Sequence, residues 1–189
     1  MDVRLTGHGL EEFATPRLVG RRLRPADMDF LTELHQDTEV MALHGGPRTR
    51  ASTEPFARSN VAHWRHFQFG LYILAMASEP DVPIGRVGMR WDNSLGAGVA
   101  VDASVLVVKH MWGQGIGSES LRAITSMGLD RQLPLVASCQ AGHAAARRVL
   151  EKVGFVYWTE FQRNKAAWVR YSWPAERQAP AEMATRLAD

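Results

Sequence analysis

Cysteine is almost missing from this chain: its 189 residues include one, Cys139, which excludes an internal disulfide. Charge of one sign is scarce as well, because 22 Lys and Arg stand against 20 Asp and Glu for a formal charge of +2. The basic residues are scattered, with no block interleaved with aromatics of the kind a nucleic-acid groove needs. No apolar run is long enough for a membrane span, and Met1 to Phe13 are polar and charged where a secretory signal would be apolar. Internal repeats and low-complexity segments are lacking too. These gaps together predict a soluble protein of a reducing, cytoplasmic setting, with neither nucleic acid nor membrane as partner. What the chain has in quantity is apolar side chains, 46% of all residues, enough at this length for one core and not for two.

Their spacing gives the order of elements. Leu18 to Leu23 reads as a short strand, and Pro25-Ala26-Asp27 opens a helix in which Met28, Leu31 and Leu34 recur at helical spacing. A second helix starts with Ser52 or Thr53 as N-cap and Pro55 in its first turn, and runs toward Phe67. Leu71 to Ala77 and Ile84 to Arg90 read as a hairpin whose turn, Ser78 to Pro83, is too proline-rich to continue either strand. Val99 to Val108 adds a third strand to this meander. Then come a helix to about Asp130, a strand over Leu135 to Cys139, and a helix that stops at Gly154, a natural left-handed cap. Phe155 to Arg163 and Ala166 to Trp173 form a closing hairpin. The expectation is an α/β (α+β) single domain over residues 15–173, built on a mixed, mostly antiparallel sheet of about seven strands flanked by helices. Residues 1–14 form an N-terminal extension and 174–189 a flexible tail.

One run carries more chemistry than the rest. In Met111-Trp112-Gly113-Gln114-Gly115-Ile116-Gly117-Ser118-Glu119-Ser120, three alternate glycines sit where an extended apolar stretch hands over to an amphipathic helix. Glycine permits positive φ, so successive N–H groups can point into one concavity, and the helix start adds unpaired N–H groups and the positive end of its dipole. A phosphate or pyrophosphate is the expected guest. The run lacks the Lys-Ser/Thr ending of a P-loop and lies past the middle of the chain instead of after a first strand, which counts against both common nucleotide folds.

Three segments in fixed order make the chain resemble the GNAT superfamily of N-acetyltransferases, and within it the branch that acetylates the N-terminal amine of ribosomal proteins. They are Thr15-Pro16-Arg17-Leu18 with Leu23-Arg24-Pro25-Ala26-Asp27, the glycine run, and Arg147-Arg148-Val149-Leu150-Glu151-Lys152-Val153-Gly154-Phe155. The resemblance covers about Thr15 to Trp173. It implies that the strand before the glycine run and the next strand splay apart at the centre of the sheet. The pantetheine arm of coenzyme A would lie in that gap like an added strand, on main-chain groups of Val107 and Val108. The pyrophosphate would rest on the amides of Gln114, Gly115, Ile116, Gly117 and Ser118, with His143 and Arg147 as further cofactor contacts. Acetyl-CoA is thus the implied cosubstrate and a primary amine the other partner, with no metal, and the family is compatible with a homodimer. This chain departs from the pattern at Trp112, which holds the loop's usual Gln/Arg place, at His143 and Ala146, where relatives often carry Asn and Ser, and at Leu150, where many carry a tyrosine as general acid.

A neutral amine must attack a thioester, an oxyanion must be held and a thiolate must leave. A thiol with pKa near ~8.5 leaves without a strong acid, and a strand N–H near Val107 or Val108 can meet the oxyanion. An α-amine, with pKa near ~8, needs less help from a base than a lysine near ~10.4, so the missing tyrosine favours an α-amine of a protein N-terminus or a small molecule. Asp102 matches the strand position where relatives carry Glu and is the candidate base, through a water, or else a charge on an outer strand face. His143 can donate from a ring nitrogen or simply open its helix. His63 and His66, three apart on one helix face, could hold a metal but lack a third ligand. Cys139 reads as a packed strand residue and Glu119 as a partner of the helix dipole. Arg48, Arg50, Arg58 and Arg65, opposed only by Glu54 between Leu43 and His66, disfavour polycationic acceptors. They suit a carboxylate on an amino acid, acidic residues near a protein N-terminus, or the end of succinyl-CoA. The alternatives to acetyl transfer are therefore succinyl transfer and a catalytically silent CoA-binding module.

Overall fold

Five α-helices and nine strands alternate along the chain in a computed structural model that describes residues 4–5, 11–92 and 100–173. They are β1 (Arg4–Leu5), β2 (Glu12–Ala14), β3 (Leu18–Arg22), α1 (Met28–Gln36), α2 (Thr38–Met41), α3 (Arg50–Phe67), β4 (Leu71–Met76), β5 (Glu79–Asp92), β6 (Ala100–Val107), α4 (Ile116–Asp130), β7 (Leu135–Gln140), α5 (Ala144–Val153), β8 (Val156–Arg163) and β9 (Ala166–Trp173). All nine strands belong to one sheet in the order β1-β2-β3-β4-β5-β6-β7-β9-β8. Every neighbouring pair is antiparallel except β6 and β7. That one parallel pair follows from its connection, since α4 carries the chain back along the sheet between the two strands.

The mixed, mostly antiparallel sheet matches the expected class, with β1 and β2 beyond the seven strands expected. Residues 12–14 of the supposed N-terminal extension are therefore part of the sheet, and Phe13 is 1% exposed in the core. The supposed tail, 174–189, lies outside the described residues. Two other expectations need correction. The cap of α3 is Thr49, whose hydroxyl accepts from Ser52 N–H at 3.3 Å, so the helix begins earlier and Pro55 falls inside it. The prolines after Ser78 do not end a strand, because β5 runs through Pro80 and Pro83. They are tolerated there because the strand ladder with β6 starts at Gly85 and Ile84 is the last residue bonded on that side, leaving residues 79–83 at an open edge, and because the register with β4 shifts beside them.

Alternation along the strands sorts side chains to two faces. Val101, Ala103 and Val107 of β6 join Leu135, Ala137 and Cys139 of β7 under α4 and α5, against Ile116, Leu121, Ile124, Leu150 and Val153. On the opposite face Leu71 and Ile73 pack with Leu31 of α1 and Ala57 of α3, while Leu106 packs with Leu34, Val40 and Met41. Each such buried leucine contributes about 2 kcal/mol of hydrophobic stabilisation. This leaves Asp102 and Ser104 of β6 on the face of α1 to α3. The end of α5 is closed by Gly154 at φ 117°, where a Cβ would lie 1.8 Å from the Trp173 ring, so both the backbone and the packing require glycine.

Candidate active site

The two central strands part almost as soon as they meet. Their register holds two pairs, Val101 with Leu135 and Asp102 with Val136. Beyond them β6 continues through Ala103 to Val107 and β7 through Ala137 to Gln140 without pairing to each other. At 3.3 Å per residue the β6 side of the gap is about 17 Å long. Val101 N–H donates to Pro134 C=O at 2.9 Å and Val108 N–H to Ile84 C=O at 2.9 Å, and the register with β5 is unbroken between them. Odd-numbered residues therefore turn their main-chain groups toward the gap and even-numbered ones toward β5.

That parity selects among the expected contacts. Val107 faces the gap, but its carbonyl is already taken by the Trp112 indole N–H at 2.8 Å. Val108 turns its N–H away to Ile84, so it cannot also meet a group in the gap. The open main-chain positions are the Ala103 carbonyl, both groups of Val105 and the Val107 N–H; Val105 could not be singled out in the sequence because strand parity cannot be set without the register. The bond from Trp112 also explains its place in the run: it ties the loop to the strand end, a job the indole N–H performs and a solvated glutamine would do less rigidly.

At the end of the gap the glycine run makes the anticipated turn. Gly113 and Gly115 have φ of 75° and 80°, Gly115 caps α4 without any side-chain bond, and Gly117 lies inside the helix. The N–H groups of Gln114, Gly115, Ile116, Gly117 and Ser118 find no acceptor among the described residues. A Cβ on Gly113 would meet nothing within 4 Å, and one on Gly117 only Val149 at 3.9 Å, so open space lies before these donors. The 15-residue helix behind them aligns its dipole on the same spot. Ile116 contributes through its N–H alone, since its side chain is 1% exposed in the core.

Arg17 was not foreseen at this site. Thr15 Oγ1 donates to Glu119 Oε1 at 2.6 Å, Arg17 Nε donates to Glu119 Oε2 at 2.7 Å, and Arg17 Nη1 donates to the Gln114 carbonyl at 3.0 Å. The opening Thr-Pro-Arg-Leu segment is thus a clamp on the first turn of α4. Burial raises the Glu119 carboxyl, but the hydrogen bonds from Thr15 and Arg17 outweigh it and leave it below the usual range. Glu119 is therefore an ion-pair partner 4% exposed, more than a dipole mate. The Thr15-Pro16-Arg17-Leu18 segment carries the signal in the sequence, but its partner Glu119 lies 102 residues from Arg17.

His143 caps α5, its Nδ1 accepting from Ala146 N–H at 3.4 Å. Burial keeps the ring neutral, so the other nitrogen carries the proton and remains a donor. Arg147, expected at the cofactor, donates from Nε to Tyr171 Oη at 3.1 Å and from Nη1 to Ala141 C=O at 3.5 Å, which ties it to the sheet. Leu150 is buried in the core, and no tyrosine takes its place on α5. His63 is structural, with Nδ1 bonded to Phe69 C=O at 2.9 Å and Nε2 accepting from Trp91 N–H at 3.3 Å. Cys139 is buried, and burial pushes its thiol up to about 11, which suits packing and not nucleophilic attack.

Asp102 sits at the vertex of the gap, half-buried on the face of α1 to α3. No described residue donates to it. Arg90, its partner across β5, bonds instead to Ser59 of α3. Burial, then the nearby Asp92, pushes the Asp102 carboxyl up to about 7, against the pull of Arg170, Arg163 and Arg86. A carboxylate with a free lone pair and a pKa near neutrality is equipped to take a proton, which an ordinary aspartate is not.

A parallel pair opened beyond its second rung, with a bare helix start at one end and a perturbed carboxylate at the other, defines an acyl-CoA-dependent acyltransferase fold. The acetyltransferase (GNAT) domain family matches residues 17–156, and the chain belongs to that family: it is an enzyme, an acyl-CoA-dependent N-acyltransferase. Among solved structures the fold is shared with a putative GnaT-family acetyltransferase from Bordetella pertussis, at TM-score 0.74 and 19% identity over 85% of this chain and 98% of that one. It is also shared with an acetyltransferase from Salmonella typhimurium that modifies the N-terminal serine of ribosomal protein L7/L12, at TM-score 0.69 and 14% identity over 84% and 95%. The aminoglycoside acetyltransferase AAC(6')-Ib, solved with coenzyme A, gives TM-score 0.69 and 18% identity over 89% and 99%. No curated protein sequence matches the chain. Among the described residues no helix is long and apolar enough to cross a membrane.

Proposed function

We propose that this enzyme moves an acetyl group from acetyl-CoA to an α-amine, of a protein N-terminus or a small molecule, by direct attack of the amine on the thioester. The observation that carries the reading is the gap between β6 and β7, with donors free at one end and Asp102 free at the other. The pyrophosphate of the cosubstrate is received by the N–H groups of Gln114 to Ser118, and its pantetheine arm by the main-chain groups of Val105 and Val107, with the free ring nitrogen of His143 beside it. The Val107 N–H meets the oxygen that becomes negative during attack. Asp102, through a water, takes the proton from the amine. The thiolate departs unaided, since its conjugate acid has a pKa of about 8.5, which is consistent with a leucine at position 150.

Calorimetric titration with acetyl-CoA tests the first half of this reading. Gly117→Trp is the informative variant, because position 117 is helical with negative φ and only Val149 nearby, so the fold is kept while the donors are covered. Binding lost with an unchanged melting temperature is the expected result. Binding that persists in Gly117→Trp and in Gly115→Trp refutes the cosubstrate site. Thiol release over a panel of α-amines, lysine peptides and polyamines tests the second half, and a better kcat/KM for lysines or polyamines than for every α-amine overturns the acceptor class.

A further inference from the structure

Two arginines are buried in the sheet. Arg170 is 5% exposed and Arg86 8%. Arg170 is neutralised, with Nη2 3.2 Å from Asp92 Oδ2. Arg86 has no carboxylate within 4.0 Å among the described residues, although it is just as deeply placed and lies on the same face as Asp102. A guanidinium stays charged at every physiological pH, and a buried charge without a counter-ion is retained only when something supplies one.

Burial and Arg48 oppose the charge of Arg86, Asp102 on the same face favours it from beyond ion-pair distance, and its immediate neighbours hold it in place without neutralising it. Its Nε donates to His35 Nε2 at 3.3 Å, and His35 in turn holds Thr53 through Nδ1 at 3.3 Å. Its Nη1 donates to Ser104 Oγ at 3.4 Å. The guanidinium lies 5.3 Å from the centroid of the Phe56 ring, which Arg48 approaches at 5.5 Å. Arg48 also lacks a carboxylate partner among the described residues, whereas Arg50 pairs with Asp29 and Arg58 with Glu54. Two cations thus share one aromatic ring, and His44 beside them lies 5.5 Å from His143 across the mouth of the gap. Both histidines are kept neutral: burial, then Arg86, lowers His35 to about 3 and His44 to about 4. The two arginines therefore carry the positive charge, and Nη2 of Arg86 has no hydrogen-bond partner among the described residues. Ser104, which Arg86 touches, is the next residue along this face of β6 after Asp102, about 7 Å away.

We propose that the acceptor is an amine that also carries a carboxylate, and that Arg86, with Arg48, receives this carboxylate while the amine lies toward Asp102. The inference rests on the acyl-transfer reading above and narrows its acceptor. The same chemistry occurs in the α-carboxylate of a free amino acid and in an acidic side chain near a peptide N-terminus. Arg86 is a specificity-determining residue in either case.

The test compares kcat/KM for acetylation of free amino acids against their amides, and of peptides carrying Asp or Glu in the first two positions against the matching Asn or Gln peptides. In the parent enzyme the carboxylate form is preferred by about ten- to a hundredfold in one of the two series. That series identifies the source. In Arg86→Gln the ratio falls to about one, chiefly through KM, and Arg86→Lys restores part of it because charge returns without the fork. Acetyl-CoA titration and melting curves establish that both variants fold. N-acetylated amino acids and their amides, titrated into the CoA-saturated protein, read the same preference without turnover. The inference is overturned by a parent with no carboxylate preference or by a preference that survives Arg86→Gln. It is equally overturned by an Arg86-dependent preference for succinyl-CoA over butyryl-CoA, which would assign the cation to the donor. Thiol release from no amine at all refutes acyl transfer itself, whereas release without carboxylate preference refutes only the role of Arg86.

Discussion

Asp102→Asn is the substitution whose consequences are most sharply set by the geometry. Passing a proton from an α-amine of pKa about 8 to an ordinary aspartate of about 3.9 is uphill by roughly four units. With Asp102 raised to about 7 the same transfer is uphill by about one unit, which is worth about a thousandfold in proton-accepting power. In the parent, kcat/KM should rise with pH along a limb centred near 7, the carboxyl's own titration. In Asp102→Asn the limb should move to about 8, where the amine itself loses its proton. The variant should be slower by about 10²- to 10⁴-fold near neutrality, and its deficit should narrow about tenfold between pH 6 and 9 as the solution takes over the base's task. Stability supplies a second readout of opposite sign. The folded-state pKa lies above the unfolded value, so the folded protein binds more protons between about pH 4 and 7, and its stability falls as pH rises through that window. Three units amount to about 4 kcal/mol, which solvent screening of a half-buried group reduces to about 2 kcal/mol. Urea melts at pH 5 and 8 should show that slope in the parent and its absence in the variant. A pH-independent deficit with the limb still near 7 would falsify the assignment, and an unaffected rate would make Asp102 a bystander.

The remaining expectations concern the scaffold of the site. Arg17→Ala removes the ion pair from Glu119 and the bond to the Gln114 carbonyl. With Arg17 46% exposed, the loss in stability should be about 1 to 2 kcal/mol by denaturant melts, and acetyl-CoA affinity should fall severalfold by titration because the loop is no longer held. Because Glu119 is held below its ordinary pKa, its contribution is present above about pH 4.5 and vanishes as pH falls through the folded value, so Arg17→Ala and parent should converge in acid melts. Gly154→Ala combines a left-handed backbone with a Cβ 1.8 Å from Trp173 and should cost about 3 kcal/mol or more, read as a loss of soluble protein or a lower melting temperature.

From β3 onward every element except the four-residue α2 was legible, because each is announced locally: helix spacing at Met28, Leu31 and Leu34, a left-handed cap at Gly154, alternate glycines before α4. What failed depended on context. Pro80 and Pro83 read as a break until β6 is seen to end short of them, and Thr49 lost the cap to Ser52 and Thr53 because Pro55 pulled the expected start forward. The phosphate side of the site is local in sequence and was readable as one segment. The acceptor side is assembled from β5, β6, α1 and α3, so Arg86, His35 and Ser104, scattered over 70 positions of the chain, carried no shared signal. Arg147 shows the converse: a basic residue in a matching motif suggests a phosphate contact, and its bond to Tyr171, 24 positions away, is invisible until the strands are in place.

Two rungs are a narrow seam for a sheet of nine strands. One panel, β1 to β6, is a run of strands paired in chain order, and the other, β7 to β9, meets it through Val101, Asp102 and the helices packed beneath. A molecule that borders both open edges closes this seam, joining panels that the protein's own hydrogen bonds leave apart. Saturation at a hundred times the dissociation constant adds about 2.7 kcal/mol to the folded state, and that gain is concentrated where the sheet is weakest. Amide exchange at Val105, Val107 and the facing residues of β7 should therefore slow more than the global average when acetyl-CoA binds, so that the substrate acts as the missing strand of a sheet that is mechanically incomplete without it.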